Sequence, residues 1–125
     1  MKGIVQLAYS LALISFASVQ ASEQKELAGH YYLQGAMEMG SELLLRDNGR
    51  FEAGMVYGGA EGYAKGDWTL EGQNLTLHRD PAGPVSKDDI GQLFDGLILL
   101  VRPGCLALQE DGGCYVKSVK KGLAQ

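Results

Sequence analysis

At 125 residues and a net charge of −4, the chain suffices for one hydrophobic core and leaves little for a second. Its acidic balance disfavours nucleic acid, whose phosphates demand a basic face, and anionic membrane surfaces alike. Two cysteines without C-x-x-C spacing, and no paired His/Cys spacing, argue against thiol redox chemistry and against a zinc site.

The opening MKGIVQLAYSLALISFASVQA carries Lys2, an apolar run from Leu7 to Val19 and a small-residue exit at Ala21. That layout is a secretory signal peptide, with cleavage expected after Ala21. The run is interrupted by Ser10, Ser15 and Ser18 and falls short of the ~20 residues a spanning helix needs. We therefore expect a leader over 1–21 and a single exported domain over 22–125, periplasmic or secreted and not membrane-bound once the leader is gone. Without Lys2 the domain holds ten basic and fifteen acidic side chains, a balance of −5.

Alternation of apolar and polar residues then places the strands. Gly29 to Gln34 points Tyr31 and Leu33 inward, and Ser41 to Arg46 points Leu43 and Leu45 inward. Arg50 to Tyr57 buries Phe51, Ala53, Met55 and Tyr57; GDWTL buries Trp68 and Leu70; NLTLHR buries Leu75 and Leu77. Leu97 to Val101, CLALQ and CYVKSV complete a set of eight. A three-residue loop at Asp47-Asn48-Gly49, with Gly49 left-handed, pairs Leu45 with Phe51 and Leu43 with Ala53, whereas a two-residue Asn48-Gly49 turn would mix charged and apolar groups on each face. Gly72-Gln73 as a two-residue turn likewise sets Leu70 against Leu75 and Trp68 against Leu77. The expected fold is all-β, a small antiparallel up-and-down barrel of the lipocalin-like kind, with one short helix.

In such a meander, odd and even connections lie at opposite poles. One pole receives the short turns at 47–49, 71–74 and 102–104. The other receives GAMEMG, GGAEGYAKG, RDPAGPVSKDDIGQLFD and EDGG. Ser86 followed by Asp89 makes a capping box, so a helix from about Lys87 to Phe94 is predicted over this rim. The four long connections hold Glu38, Glu61, Asp80, Asp88, Asp89, Asp95, Glu110 and Asp111 against Lys65, Arg79 and Lys87, which accounts for the whole net charge of the domain. A charged rim steers oppositely charged partners. The predicted binding residues are Met37, Glu38, Met39, Tyr57, Glu61, Tyr63, Asp88 and Asp89, for a small ligand or a basic protein surface.

GHYYLQGAMEMGSELLLRDNGRFEAGMVYGGAEGYAKGDW resembles a group of uncharacterised exported proteins of Gram-negative bacteria with a G-x-Y-x-L-x-G, S-E-L-x-L, D-G-R-F, Y-G and G-x-W pattern. Gly29, Tyr31, Leu33, Gly35, Ser41 to Leu43, Leu45, Gly49 to Phe51, Tyr57, Gly58, Gly66 and Trp68 carry the match. GDWTLEGQNLTLHR is similar to hairpins of small lipocalin-like barrels in envelope lipoproteins. The resemblance implies the barrel fold and supplies no catalytic residues.

No enzyme is expected. His30 and His78 sit outward on different strands, and nothing in the spacing brings either to Ser41, Ser86 or Ser118 with an orienting group and an oxyanion hole. No cofactor is predicted, although Met37 and Met39 form a Met-x-Met pair whose thioethers suit Cu(I), with His30 or Met55 as further donors. Export favours a Cys105–Cys114 bridge. A regular hairpin turning at Asp111-Gly112 would instead set Cys114 opposite Gln109 and hold the sulfurs apart. The last hairpin is thus either irregular and bridged or regular with free thiols, and the compartment favours the bridge.

Overall fold

Arg46 to Arg50 decide the first register. A computed structural model describes residues 22–81, 89–109 and 112–119. In it Gly49 takes φ 87°, the Arg46 amide donates to the Arg50 carbonyl at 2.9 Å, and Asn48 Oδ1 accepts from the Arg50 amide at 3.0 Å. The predicted pairs Leu45–Phe51 and Leu43–Ala53 follow. Gly72, with φ 62°, opens the next tight turn and sets Leu70 against Leu75 and Trp68 against Leu77. Pro103 and Gly104, the latter at φ 83°, make a third.

Eight strands result: β1 Gly29–Gln34, β2 Met39–Leu45, β3 Arg50–Tyr57, β4 Ala60–Glu71, β5 Asn74–Arg79, β6 Ile98–Arg102, β7 Cys105–Ala107 and β8 Cys114–Lys117. Each pairs antiparallel with its sequence neighbour, and β8 returns to β1, so the sheet closes as an up-and-down barrel. Inward positions alternate along every strand. Trp68, Tyr115, Phe51, Phe94 and six leucines are almost wholly removed from solvent, each contributing roughly 1.5–3 kcal/mol through apolar burial.

The sequence reading errs at β4. GGAEGYAKG is not a long loop. Gly58 and Gly59 alone form the turn, with Tyr57 paired to Ala60, and the rest continues a twelve-residue strand. Gly62, Ala64 and Gly66 face inward while Glu61, Tyr63 and Lys65 face out. The small residues make room: a Cβ at Gly62 would overlap the backbone of Ile90 and Gly91, and one at Gly66 would overlap the His78 carbonyl. Strand β2 also starts early, at Met39, which shortens the first connection to residues 35–38.

What packs against Gly62 is a 3-10 helix, Ile90–Phe94, inside the connection from β5 to β6. It is shorter than the predicted helix over 87–94, and its N-cap is Asp89, whose carboxylate accepts from the Gly91 amide at 2.9 Å. Ser86 and Lys87 lie outside the described residues. Phe94 drops fully into the core from this side. At the other pole residues 22–27 form a short helical segment. Tyr31 Oη donates to the Leu27 carbonyl at 2.6 Å and Lys117 Nζ to the Glu26 carbonyl at 2.9 Å. Burial pushes the Tyr31 phenol up to about 12.

Cys105 and Cys114 are bridged, with Cα atoms 5.8 Å apart. The regular hairpin fails because Ala107, not Gln109, faces Cys114. Gly113 at φ 102° and a Leu108 amide bond to the Gly113 carbonyl close a wider loop. The two cysteines then sit diagonally on the outer face, within bridging distance. No helix among the described residues is long and apolar enough to cross a membrane.

Candidate functional site

The poles sort as predicted, since odd connections of a closed meander share one end. Two carboxylates assigned to the acidic rim, Asp80 and Asp89, are paired with arginines. Arg50 grips Asp80 through two bonds of 3.0 and 2.6 Å and also reaches Asp67 at 2.9 Å. Arg79 Nη2 reaches Asp89 Oδ2 at 3.1 Å and the Tyr63 carbonyl at 3.0 Å, while its amide donates to Asp95. These contacts hold the Asp80 carboxyl below its usual range, chiefly through Arg50, and the Asp89 carboxyl likewise, through Arg79 and then the Gly91 amide. Counting charge by chain position missed the Arg50–Asp80 pair because Arg50 comes from β3, which the topology brings alongside.

Among the described residues the register sets Met39 opposite Tyr57, and Glu61 opposite Val56 beside it. Met37 is 86% exposed in the first turn, and Glu38 beside it takes φ 58°. Met39 instead packs partly against the core, so the two thioethers do not share an environment. Of the further donors, His30 lies near the start of β1 at the opposite pole, while Met55 sits inward and diagonal to Met39. Tyr57, expected inside, is 51% exposed, because β3 outruns the core at that end. Asp88 lies outside the described residues. Asp89 caps the 3-10 helix.

Glu61 and Tyr63, by contrast, stand on the outer wall of β4. Tyr63 Oη donates to Glu52 Oε1 at 3.0 Å, and Arg46 holds the other oxygen of Glu52 at 2.6 Å. The Glu52 carboxyl is depressed by Arg46 first and Tyr63 second, and the Tyr63 phenol is raised by the same bond.

The register puts residues that sequence reasoning overlooked beside these two. Tyr32 pairs with Glu42, Glu42 with Gly54, and Gly54 with Tyr63, giving one lateral row across four strands. Gly40, Val56 and Glu61 form the adjoining row. Together they line an open depression of about 600 Å³. Tyr32, Val56 and Tyr63 are 42%, 52% and 55% exposed. Their outward parity is legible from alternation, although they lie on strands rather than on the long connections.

The histidines and serines are engaged separately. His30 pairs with Glu42 at 3.2 Å and stacks on Tyr32, and His78 meets Thr69 at 3.0 Å on the outside. Ser41 points inward, donating to the Gly54 carbonyl and meeting Tyr115 Oη, each at 2.8 Å. The Ser118 amide donates to the His30 carbonyl in the backbone. Burial raises the Tyr115 phenol, with Ser41 opposing in part. Among the described residues no group of three or more His, Cys, Asp or Glu could hold a metal ion. Compared with protein-family models, curated proteins and solved structures, the chain matches none.

Proposed function

We propose that this chain is an exported, non-enzymatic interaction module that engages another protein with its outer wall. The filled interior carries the reading. Where a ligand-holding barrel would keep room, Trp68, Phe51, Tyr115 and the leucines interdigitate, and Phe94 enters from the connection that covers one mouth. Recognition is then left to the surface, where exposed Tyr32, Val56, Tyr57 and Tyr63 gather on strands β1 to β4. Export to the periplasm or beyond is supported by the signal-like residues 1–21 and by the Cys105–Cys114 bridge. An internal small-ligand site of the lipocalin-like kind and copper capture by Met37 and Met39 find less support, for the packing reasons above.

Two measurements test the proposal. Native mass spectrometry of the oxidised protein, isolated without reductant, should show a chain cut after Ala21, lighter by the hydrogens of one disulfide and carrying no small molecule. A photo-reactive residue at Tyr63, introduced in the producing cell, should yield a discrete protein adduct that the same residue at Arg102 does not. A stoichiometric small molecule retained by the protein, or equal labelling from both positions, would remove the reading.

A further inference from the structure

Most glycines of the wall are demanded by the fold. Gly49, Gly58 and Gly72 turn with positive φ, while Gly62 and Gly66 abut backbone. Gly54 is demanded by neither. It lies mid-strand in β3 without positive φ, its missing side chain would point outward, and an added Cβ would meet nothing nearer than the Gly62 carbonyl at 3.9 Å. Gly40 is its diagonal neighbour on β2, where a Cβ would meet only the tip of Val56, at 3.3 Å. Glycine inside a strand weakens it, and an unforced one marks a place where another group approaches the backbone closely.

The surroundings of this bare floor are chemically one-sided. In the two rows that contain it, the charged side chains are Glu42 and Glu61, both acidic and exposed. Lys65 stands in the row behind, opposite Glu52, and Arg46 is bound to Glu52. His30 leans on Glu42. The aromatic walls are pinned: Tyr63 by its bond to Glu52, and Tyr32 by stacking on His30 with ring centroids 4.8 Å apart. Rigid phenol faces beside carboxylates form a receptor for a cation with an aliphatic stem.

We infer that the Gly40–Gly54 notch on the outer wall of β2–β4 receives a lysine or arginine side chain of a partner protein. This rests on the interaction-module reading. The stem lies on the glycine floor against Val56 and Tyr63, and the head meets Glu61, because His30 already pairs with Glu42.

Titrating the isotope-labelled oxidised protein with acetyl-Leu-Arg-Leu-amide tests the inference. Amide shifts should concentrate at Gly40, Gly54, Val56 and Glu61, and acetyl-Leu-Glu-Leu-amide should leave them unmoved. Gly54→Val, a residue suited to a strand, should fill the notch and weaken binding about fivefold or more, the scale of one lost cation–π contact. Glu61→Gln, at an exposed site, should weaken it too and carries the test if Gly54→Val does not fold. Equal response to the acidic peptide, shifts mapped elsewhere, or undiminished binding by Glu61→Gln would overturn the notch. A protein adduct at Tyr63 with no peptide response would overturn the notch alone. Peptide response without an adduct would overturn the interaction-module reading and with it the partner side chain, leaving only a cation-binding surface.

Discussion

The two halves of the barrel are built differently. Strands β1 to β5 run six to twelve residues and carry the charge ladders of the outer wall, whereas β6, β7 and β8 have five, three and four residues. The short half contains the disulfide. Where hydrogen-bonded pairing is long the sheet holds itself; where it is short, a covalent tie stands in for missing ladder. The long half is also where Gly54 interrupts a strand, a local weakness that seven- and twelve-residue neighbours can absorb.

The comparison can be broken most directly at Trp68, which anchors the long half. Its indole donates to the Arg46 carbonyl at 3.0 Å and its amide to the Gly49 carbonyl at 2.9 Å. Trp68→Ala should cost about 3–5 kcal/mol in urea unfolding. A much smaller loss would show that the long half does not dominate stability.

Next comes the staple. Replacing Cys105 and Cys114 by serine should cost about 2–3 kcal/mol, as expected for a bridge of sequence separation 9. Hydrogen exchange should then quicken in β7 and β8 before β3 and β4. Uniform quickening would mean that the halves unfold together.

Tyr31→Phe is a milder change, expected to cost about 1 kcal/mol by removing the bond to Leu27. It also isolates an alkaline effect. The phenol titrates near 10.0 when unfolded and near 12 when folded, so the stability it contributes is complete below pH 10 and is lost as pH rises toward 12. The phenylalanine variant should lack that decline.

The smallest effect belongs to the surface pairs. Glu52, Asp80 and Asp89 are depressed in the fold from ordinary values of 4.5, 3.8 and 3.8. Their contribution is therefore present above those values and fades as pH falls below them. High salt should shrink the dependence, because the pairs are open to solvent. An acid transition that begins well above pH 4.5 would have another origin.

The difference between the halves also decided what the sequence could reveal. Around Asn48-Gly49 and Gly72-Gln73, apolar partners on both arms leave one tolerable register, so the turns and the pairs Leu45–Phe51 and Trp68–Leu77 were legible residue by residue. The first half of β4 was not. Its glycines read as loop punctuation, yet Gly62 is small because a helix thirty residues downstream presses on it, a nonlocal cause that no window contains. The alternation of Gly62, Ala64 and Gly66 with Glu61, Tyr63 and Lys65 was the available signal. The bridged hairpin was settled by compartment chemistry, because its irregular loop leaves no pattern of alternation to follow.

The ring has a final consequence. With β8 joined to β1, every strand has two neighbours, and among the described residues none presents a wholly unpaired edge for a foreign strand to extend. Closure disfavours partner recognition by strand addition and its pathological twin, edge-to-edge fibre growth from the native state. Whatever docks on the wall must be read by side chains, which makes recognition depend on chemical identity and lets point substitutions retune it without rebuilding the scaffold.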